Sequence, residues 1–254
     1  NIKKFRNAKI NLENDEDLVN SHAFERSIIL IEMPWGRDKD PRVPLGHGSL
    51  LAALKKFGHG NVFSIVSPIN DKETTATNLL KKILEIAKNE ENIDLAIGTY
   101  VWCDHMVTEL LTQLRKSGFR GRIILGGPQI SYTMDGLEDL YPEADVFVRG
   151  YGEMAIVELF NNPNNYKIRG VHFSGKEDLN LQTEVDLEFL PSPWLNGNID
   201  VENQKFIRWE TQRGCPFSCS FCQHKEAGLR LKRRELNMNR ISKEIDLFCS
   251  NNIE

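Results

Sequence analysis

Short apolar runs that stop at Pro or Gly alternate, through the middle of the chain, with longer stretches whose apolar residues recur every three or four positions. The first kind reads as a strand buried on both faces, because a parallel strand needs no polar side. The second reads as a helix with one apolar stripe. Residues 27–33 (SIILIEM) form such a strand, ended by Pro34, and residues 45–57 have helical spacing and stop at Gly58. Residues 61–67 are a second strand, closed by Pro68. Residues 74–89 are an amphipathic helix with Leu79, Leu80, Ile83, Leu84 and Ile86 on one side and Lys81, Lys82 and Lys88 on the other. Residues 94–102 are a third strand, 104–117 a helix ended by Gly118, and 122–125 a fourth strand leading into Gly126-Gly127-Pro128. A short helix near 134–140, a fifth strand at 144–149 and a helix at 153–160 complete the series.

Five strand–helix units imply an α/β fold, a doubly wound parallel sheet of the flavodoxin-like or Rossmann-like kind, with strand order 2-1-3-4-5. Ligands of such sheets bind outside the carboxyl ends of the strands. Those ends are Pro34-Trp35, Pro68, Tyr100–Cys103, Gly126–Gln129 and Gly150–Glu153. Four segments follow: a polar lead-in (1–23), the α/β domain (24–162), a linker with a hairpin near 167–185 (163–204), and a second unit opening with a strand at 206–211 (205–254).

Composition adds exclusions. The chain has 254 residues, 40% hydrophobic and 27% charged, with a net charge of −4. This is ordinary for a globular protein and gives no sign of general nucleic-acid or membrane affinity. The longest apolar runs fall far short of the ~20 residues that cross a bilayer. No secretory leader opens the chain, so a cytoplasmic location is expected. It begins with Asn1 and ends at Glu254 just after a helical pattern, and is expected to be a piece of a longer protein.

Cysteine changes the picture most. Of 5 cysteines, Cys215, Cys219 and Cys222 stand at C-x3-C-x2-C spacing, directly after the expected strand. Three thiolates in one short loop can wrap one corner of an iron–sulfur cluster and leave an iron open. A structural zinc site would need a fourth ligand, for which His224 is the local candidate, and unliganded cysteines are the remaining alternative. Cys103 and Cys249 read as small core residues.

The motif, with Phe221 just before its third cysteine, resembles the signature of radical S-adenosylmethionine enzymes. There the cysteines hold a 4Fe–4S cluster whose open iron binds S-adenosylmethionine and generates a 5′-deoxyadenosyl radical. Phe221 would lie near that cofactor and shield the cluster. The preceding α/β domain resembles the cobalamin-binding domain of the cobalamin-dependent members. The similar stretches are 44–54, Leu125-Gly126-Gly127-Pro128, Val148-Arg149-Gly150-Tyr151-Gly152-Glu153, Leu190-Pro191-Ser192-Pro193 and residues 209–215. The resemblance implies cobalamin contacts at Trp35, Tyr100, Trp102, Gly126, Gly127, Pro128, Gly150, Tyr151, Gly152 and Glu153. The aromatics are equally normal at the edge of a core and Glu153 equally a residue complementing its helix dipole; Gly126-Gly127 would in isolation be an ordinary tight turn, but its place at a strand's carboxyl end favours cofactor contact. No D-x-H-x-x-G motif is present to give cobalt a histidine, and Asp38 and Asp40 lie at the wrong spacing from His47. Only 32 residues follow Cys222, against the ~200 or more of a complete βα barrel, so only its first βα unit is expected.

The resemblance implies an enzyme using a 4Fe–4S cluster, S-adenosylmethionine and cobalamin, transferring a methyl group to an unactivated carbon or phosphorus. An electron donor such as flavodoxin or ferredoxin and a small-molecule or peptide substrate are the implied partners. Alternatives are a cobalamin-assisted rearrangement or cyclisation, a methylthiotransferase, and a corrinoid-carrying or redox-sensing module. The methylthiotransferases place three cysteines in the first domain, where this chain has only Cys103. The six Lys and Arg of 225–240 read as a solvated face.

Overall fold

The structure is a computed structural model that describes residues 26–37, 39–202, 204–215, 217, 219–221 and 234–253. The lead-in 1–23, Asp38, Cys222, His224 and the basic positions 225–233 lie outside the described residues.

Six strands form one sheet: β1 (Arg26–Glu32), β2 (Gly60–Val66), β3 (Asn92–Gly98), β4 (Arg122–Gly126), β5 (Val146–Val148) and β6 (Val171–Phe173). Their order is β2-β1-β3-β4-β5-β6, the first five parallel as expected. The long apolar runs do not alternate because both faces are covered. On one face Ile29, Ile31, Leu95, Ile97, Ile123 and Leu125 meet α2 (Ala76–Ala87) and α3 (Asp104–Lys116). On the other Ile28, Leu30, Ala96, Ile124, Val146 and Val148 meet α1 (Leu45–Phe57) and α6 (Glu153–Asn161).

Two short helices, α4 (Pro128–Tyr132) and α5 (Leu137–Leu140), replace the single helix expected near 134–140. Pro128 starts α4 directly after the glycine pair, where its fixed φ suits a first helical turn. The expected hairpin at 167–185 does not form. Its first arm is β6, which pairs antiparallel with β5, and its second arm touches the sheet only through a parallel bridge from Thr183 to Gly150.

The remaining segment packs onto this domain. Val185, Leu187 and Leu190 of the linker form a small core with Leu236. Trp194, Ile199, Val201 and Phe248 form another, joined by Ile207 and Trp209. The strand expected at 206–211 is an extended segment without a ladder. The strands there are β7 (Gln212–Arg213) and β8 (Arg234–Glu235), an antiparallel pair followed by α7 (Met238–Ser250). Glu244 of α7, fully buried, ties the segment together: it accepts from Ser192 Oγ (2.5 Å), Trp209 Nε1 (2.6 Å) and Arg240 Nε (2.8 Å). Cys249 lies on the exposed side of α7 rather than in the core, because Glu244 and Phe248 take the inward positions.

Candidate functional site

At the carboxyl ends of the strands, on the α1/α6 face, lies a cavity of about 300 Å3. Its floor is one residue from each of four adjacent strands: Leu30, Ala96, Ile124 and Val148. The first turns of α1 and α6 wall it, and Glu210 and Arg213 close one side.

The sequence-predicted residues divide between this cavity and its surroundings. Gly126, Gly127, Gly150, Tyr151, Gly152, Glu153 and Tyr100 line it. Trp35 and Trp102 line a second, wider hollow of about 820 Å3, with Arg37, Arg42 and Arg208. Glu32, Leu45 and Tyr100 belong to both, so the two are neighbours. Trp102 stacks on Tyr100 at 4.6 Å and its indole donates to Met33 O at 3.1 Å; Trp35 is largely exposed. Pro128 is in neither lining; it serves as the first residue of α4.

The glycines have different reasons for being glycine. Gly127 has φ +98°, and a Cβ there would lie 2.8 Å from Thr99 O; at Gly150, with φ +81°, it would lie 2.7 Å from Thr183 O. Backbone packing alone demands glycine at both. Gly126 and Gly152 have ordinary φ, and an added Cβ would find nothing closer than 3.7 Å and 3.5 Å. At Gly46, in the first turn of α1, the nearest atom would be Tyr100 Oη at 3.9 Å. The protein therefore has room for side chains at three cavity-lining positions and carries none. Together they form a cradle open to a flat ligand that approaches the backbone closely.

Sequence reasoning missed Glu32. It ends β1 almost wholly buried, bonded to the Tyr100 hydroxyl, with its carboxylate in the space beside Gly98, where a Cβ would lie 2.3 Å from Glu32 Oε2. Burial raises its pKa to about 7, against a smaller lowering by the Tyr100 hydrogen bond. Burial, then the Glu32 charge, raises the Tyr100 pKa. A lone carboxylate at the end of an all-apolar strand was the available signal. His47 also lines the cavity, with Nε2 2.8 Å from Ser64 Oγ, and burial lowers its pKa to about 4, keeping the imidazole neutral. Cys103 is buried as a small hydrophobe, its thiol pushed up to about 11, chiefly by burial.

Glu153, the last residue of R-G-x-G-E, lines the cavity in the first turn of α6 with its carboxylate already engaged. It is buried, accepts from Ser49 Oγ at 2.9 Å, and pairs with Arg213 at 2.7 Å. Arg149, the first residue of that motif, is structural: its guanidinium donates to Ile130 O (2.7 Å) and pairs with Asp178. Arg213 leads through Gly214 to Cys215, which is half-buried; Cys219 is exposed, and Phe221 is 88% exposed. The cysteine loop thus starts at the cavity wall.

Comparison with known proteins agrees with this geometry. No family model matches the chain. A cobalamin-dependent radical SAM methyltransferase, TokK, of Streptomyces tokunonensis is 27% identical over 180 residues, 63% of this chain and 26% of that protein. The 2-(S-pantetheinyl)-carbapenam-3-carboxylate methyltransferase of Streptantibioticus cattleyicolor is 29% identical over 182 residues, again 63% of this chain and 26% of that protein. The chain thus spans about a quarter of these relatives. Among solved structures, the cobalamin-dependent S-adenosylmethionine radical enzyme OxsB with aqua-cobalamin bound superposes with a TM-score of 0.65 at 21% identity, over 90% of this chain and 33% of that one. OxsB with both aqua-cobalamin and S-adenosylmethionine bound gives 0.64 at 20% identity, over 90% of this chain and 32% of that one. The chain is thus similar in sequence to two methyltransferases, one of them named a cobalamin-dependent radical SAM enzyme, and shares its fold with the cobalamin-dependent S-adenosylmethionine radical enzyme OxsB.

Proposed function

We propose that this chain is the cobalamin-binding part and cluster loop of a radical S-adenosylmethionine methyltransferase. One observation carries the reading: a cradle is kept open by Gly46, Gly126 and Gly152, none of which needs to be glycine for packing, and its wall includes Arg213, two residues before Cys215 in sequence. The cavity of about 300 Å3 suits the nucleotide tail of cobalamin, and the neighbouring aromatic hollow suits one face of the corrin ring.

When bound, cobalamin would supply a methyl group and the cluster with S-adenosylmethionine a radical; that chemistry belongs to the cofactors. This chain's residues bind, orient and exclude water. Gly126 and Gly152 let the ligand reach the backbone, and Leu30, Ala96, Ile124 and Val148 give it a dry floor. Glu32, half-protonated near neutral pH, can donate or accept a hydrogen bond at the mouth. No D-x-H-x-x-G histidine is present to ligate cobalt, and the Nε2 of His47 is engaged with Ser64 Oγ at 2.8 Å. Cys215 and Cys219, with Cys222, supply thiolates for three irons. An external electron donor such as flavodoxin or ferredoxin and a small-molecule or peptide substrate complete the proposal. Among the described residues no helix is long and apolar enough to cross a membrane.

Anaerobic reconstitution with iron, sulfide and hydroxocobalamin tests the reading. About four irons and one cobalt per chain are expected. Replacing Cys215, Cys219 and Cys222 together with Ala should remove the iron and leave cobalt binding. Iron retained in that triple variant, or no cobalt in the unaltered protein, would overturn the proposal.

A further inference from the structure

Arg213 makes more contacts than a loop-edge arginine needs. Its side chain is 10% exposed. One terminal nitrogen pairs with Glu153 Oε1 at 2.7 Å, and Nε donates to Glu210 Oε2 at 2.8 Å. The guanidinium lies over the Tyr151 ring, 5.1 Å from its centroid. All four residues line the cavity. Glu153 is in turn held by Ser49 of α1 and opens α6, so the guanidinium touches, directly or through one bond, both helices that wall the site. The other end of the residue belongs to β7 and is followed by Gly214, at φ +84°, and then Cys215.

We infer that Arg213 is a positioning residue that couples occupancy of the cavity to the geometry of the cluster loop. This rests on the cobalamin reading above and adds to it. A ligand in the cavity removes water from the Glu153–Arg213–Glu210 array, and a low-dielectric surround strengthens those pairs. The guanidinium is then confined to the rotamer that satisfies both carboxylates and stacks on Tyr151. Its backbone is confined with it, and Cys215 lies two residues on. Arginine suits this role because its planar fork serves two acceptors and a ring face at once; lysine offers a single point charge.

Linkage makes the inference quantitative: whatever the cluster does to cobalamin affinity, cobalamin must do to cluster affinity by the same factor. The experiment titrates hydroxocobalamin into cluster-loaded and cluster-free protein, for wild type, Arg213→Gln and Arg213→Lys. It also follows cluster loss to an iron chelator with and without hydroxocobalamin. The wild type should bind hydroxocobalamin about tenfold tighter when loaded, a typical coupling factor, and should lose iron correspondingly more slowly. Arg213→Gln should bind each cofactor with the two affinities made independent, and Arg213→Lys should restore part of the coupling. Equal affinities in loaded and unloaded wild type would overturn the inference without any variant having to fold. Full coupling retained in Arg213→Gln would overturn it as well, reducing the residue to a structural contact. Wild type that binds no hydroxocobalamin at all would instead overturn the cobalamin reading on which it rests.

Discussion

Glu32 and His47 occupy one cavity and respond to pH in opposite directions. Burial raises Glu32 from 4.5 to about 7, so the folded protein holds a proton that the unfolded chain releases. The Glu32 contribution to stability therefore falls as pH rises from 4.5 through 7, by about 3 kcal/mol in all. Burial lowers His47 from 6.5 to about 4, so stability is lost instead as pH falls from 6.5 toward 4. The two windows overlap between pH 4.5 and 6.5, where the opposite slopes nearly cancel, so denaturant unfolding should be almost level there, and Glu32→Gln should uncover the His47 contribution as a rise in stability from pH 4 to 6.5. A Glu32→Gln profile parallel to that of wild type would show that this carboxyl titrates normally. The glycine pair separates as sharply. Gly127→Ala forces a Cβ onto Thr99 and a residue with φ +98°, and should lower the melting temperature by several degrees, on the order of 2 kcal/mol. Gly126→Ala meets nothing closer than 3.7 Å and should melt within a degree or so of wild type. Equal melting losses would mean the two glycines share one structural reason. Gly127→Val is accordingly a poor probe of ligand binding, since it disturbs the backbone first.

Elements show why some of this was legible in sequence. The unbroken runs of β1 and β3 had to be two-sided strands, since one-sided burial would have left alternate polar residues. Glycines at strand ends located the cavity for the same local reason. Residues 206–211 misled because their alternation is real: Ile207 and Trp209 do point into a core, with Phe206 and Arg208 outward, but packing rather than a ladder satisfies it. Cys249 misled because helical spacing defines a stripe without saying which neighbour covers it. Arg213 with Glu153 and Glu244 with Trp209 were invisible because the partners meet only after the chain has folded. Glu244 gives the element-scale test. Glu244→Ala leaves the Trp209 N–H, the Ser192 hydroxyl and the Arg240 charge without their shared acceptor, at a cost of about 3 kcal/mol. The loss should be local: limited proteolysis near 204–215 should accelerate while cleavage within β1–β4 stays slow. Uniform acceleration would show that the last segment and the sheet unfold as one.

At the scale of the whole chain, the glycine-lined cradle and the start of the cysteine loop share one wall. The sheet places four small or aliphatic residues under the cavity, two helices open their first turns over it, and Arg213 ties that wall to the first cysteine. The chain spans only about a quarter of the length of the curated relatives it matches. The central claim is that the space left by the glycines is filled by cobalamin. Equilibrium titration of hydroxocobalamin against wild type and Gly126→Val, with circular dichroism showing both folded, tests it most directly. Valine at position 126 adds three carbons to a cradle where a Cβ finds nothing closer than 3.7 Å, and affinity should fall at least tenfold, about 1.4 kcal/mol. Equal affinity in a folded Gly126→Val would contradict the account and remove cobalamin from this cavity.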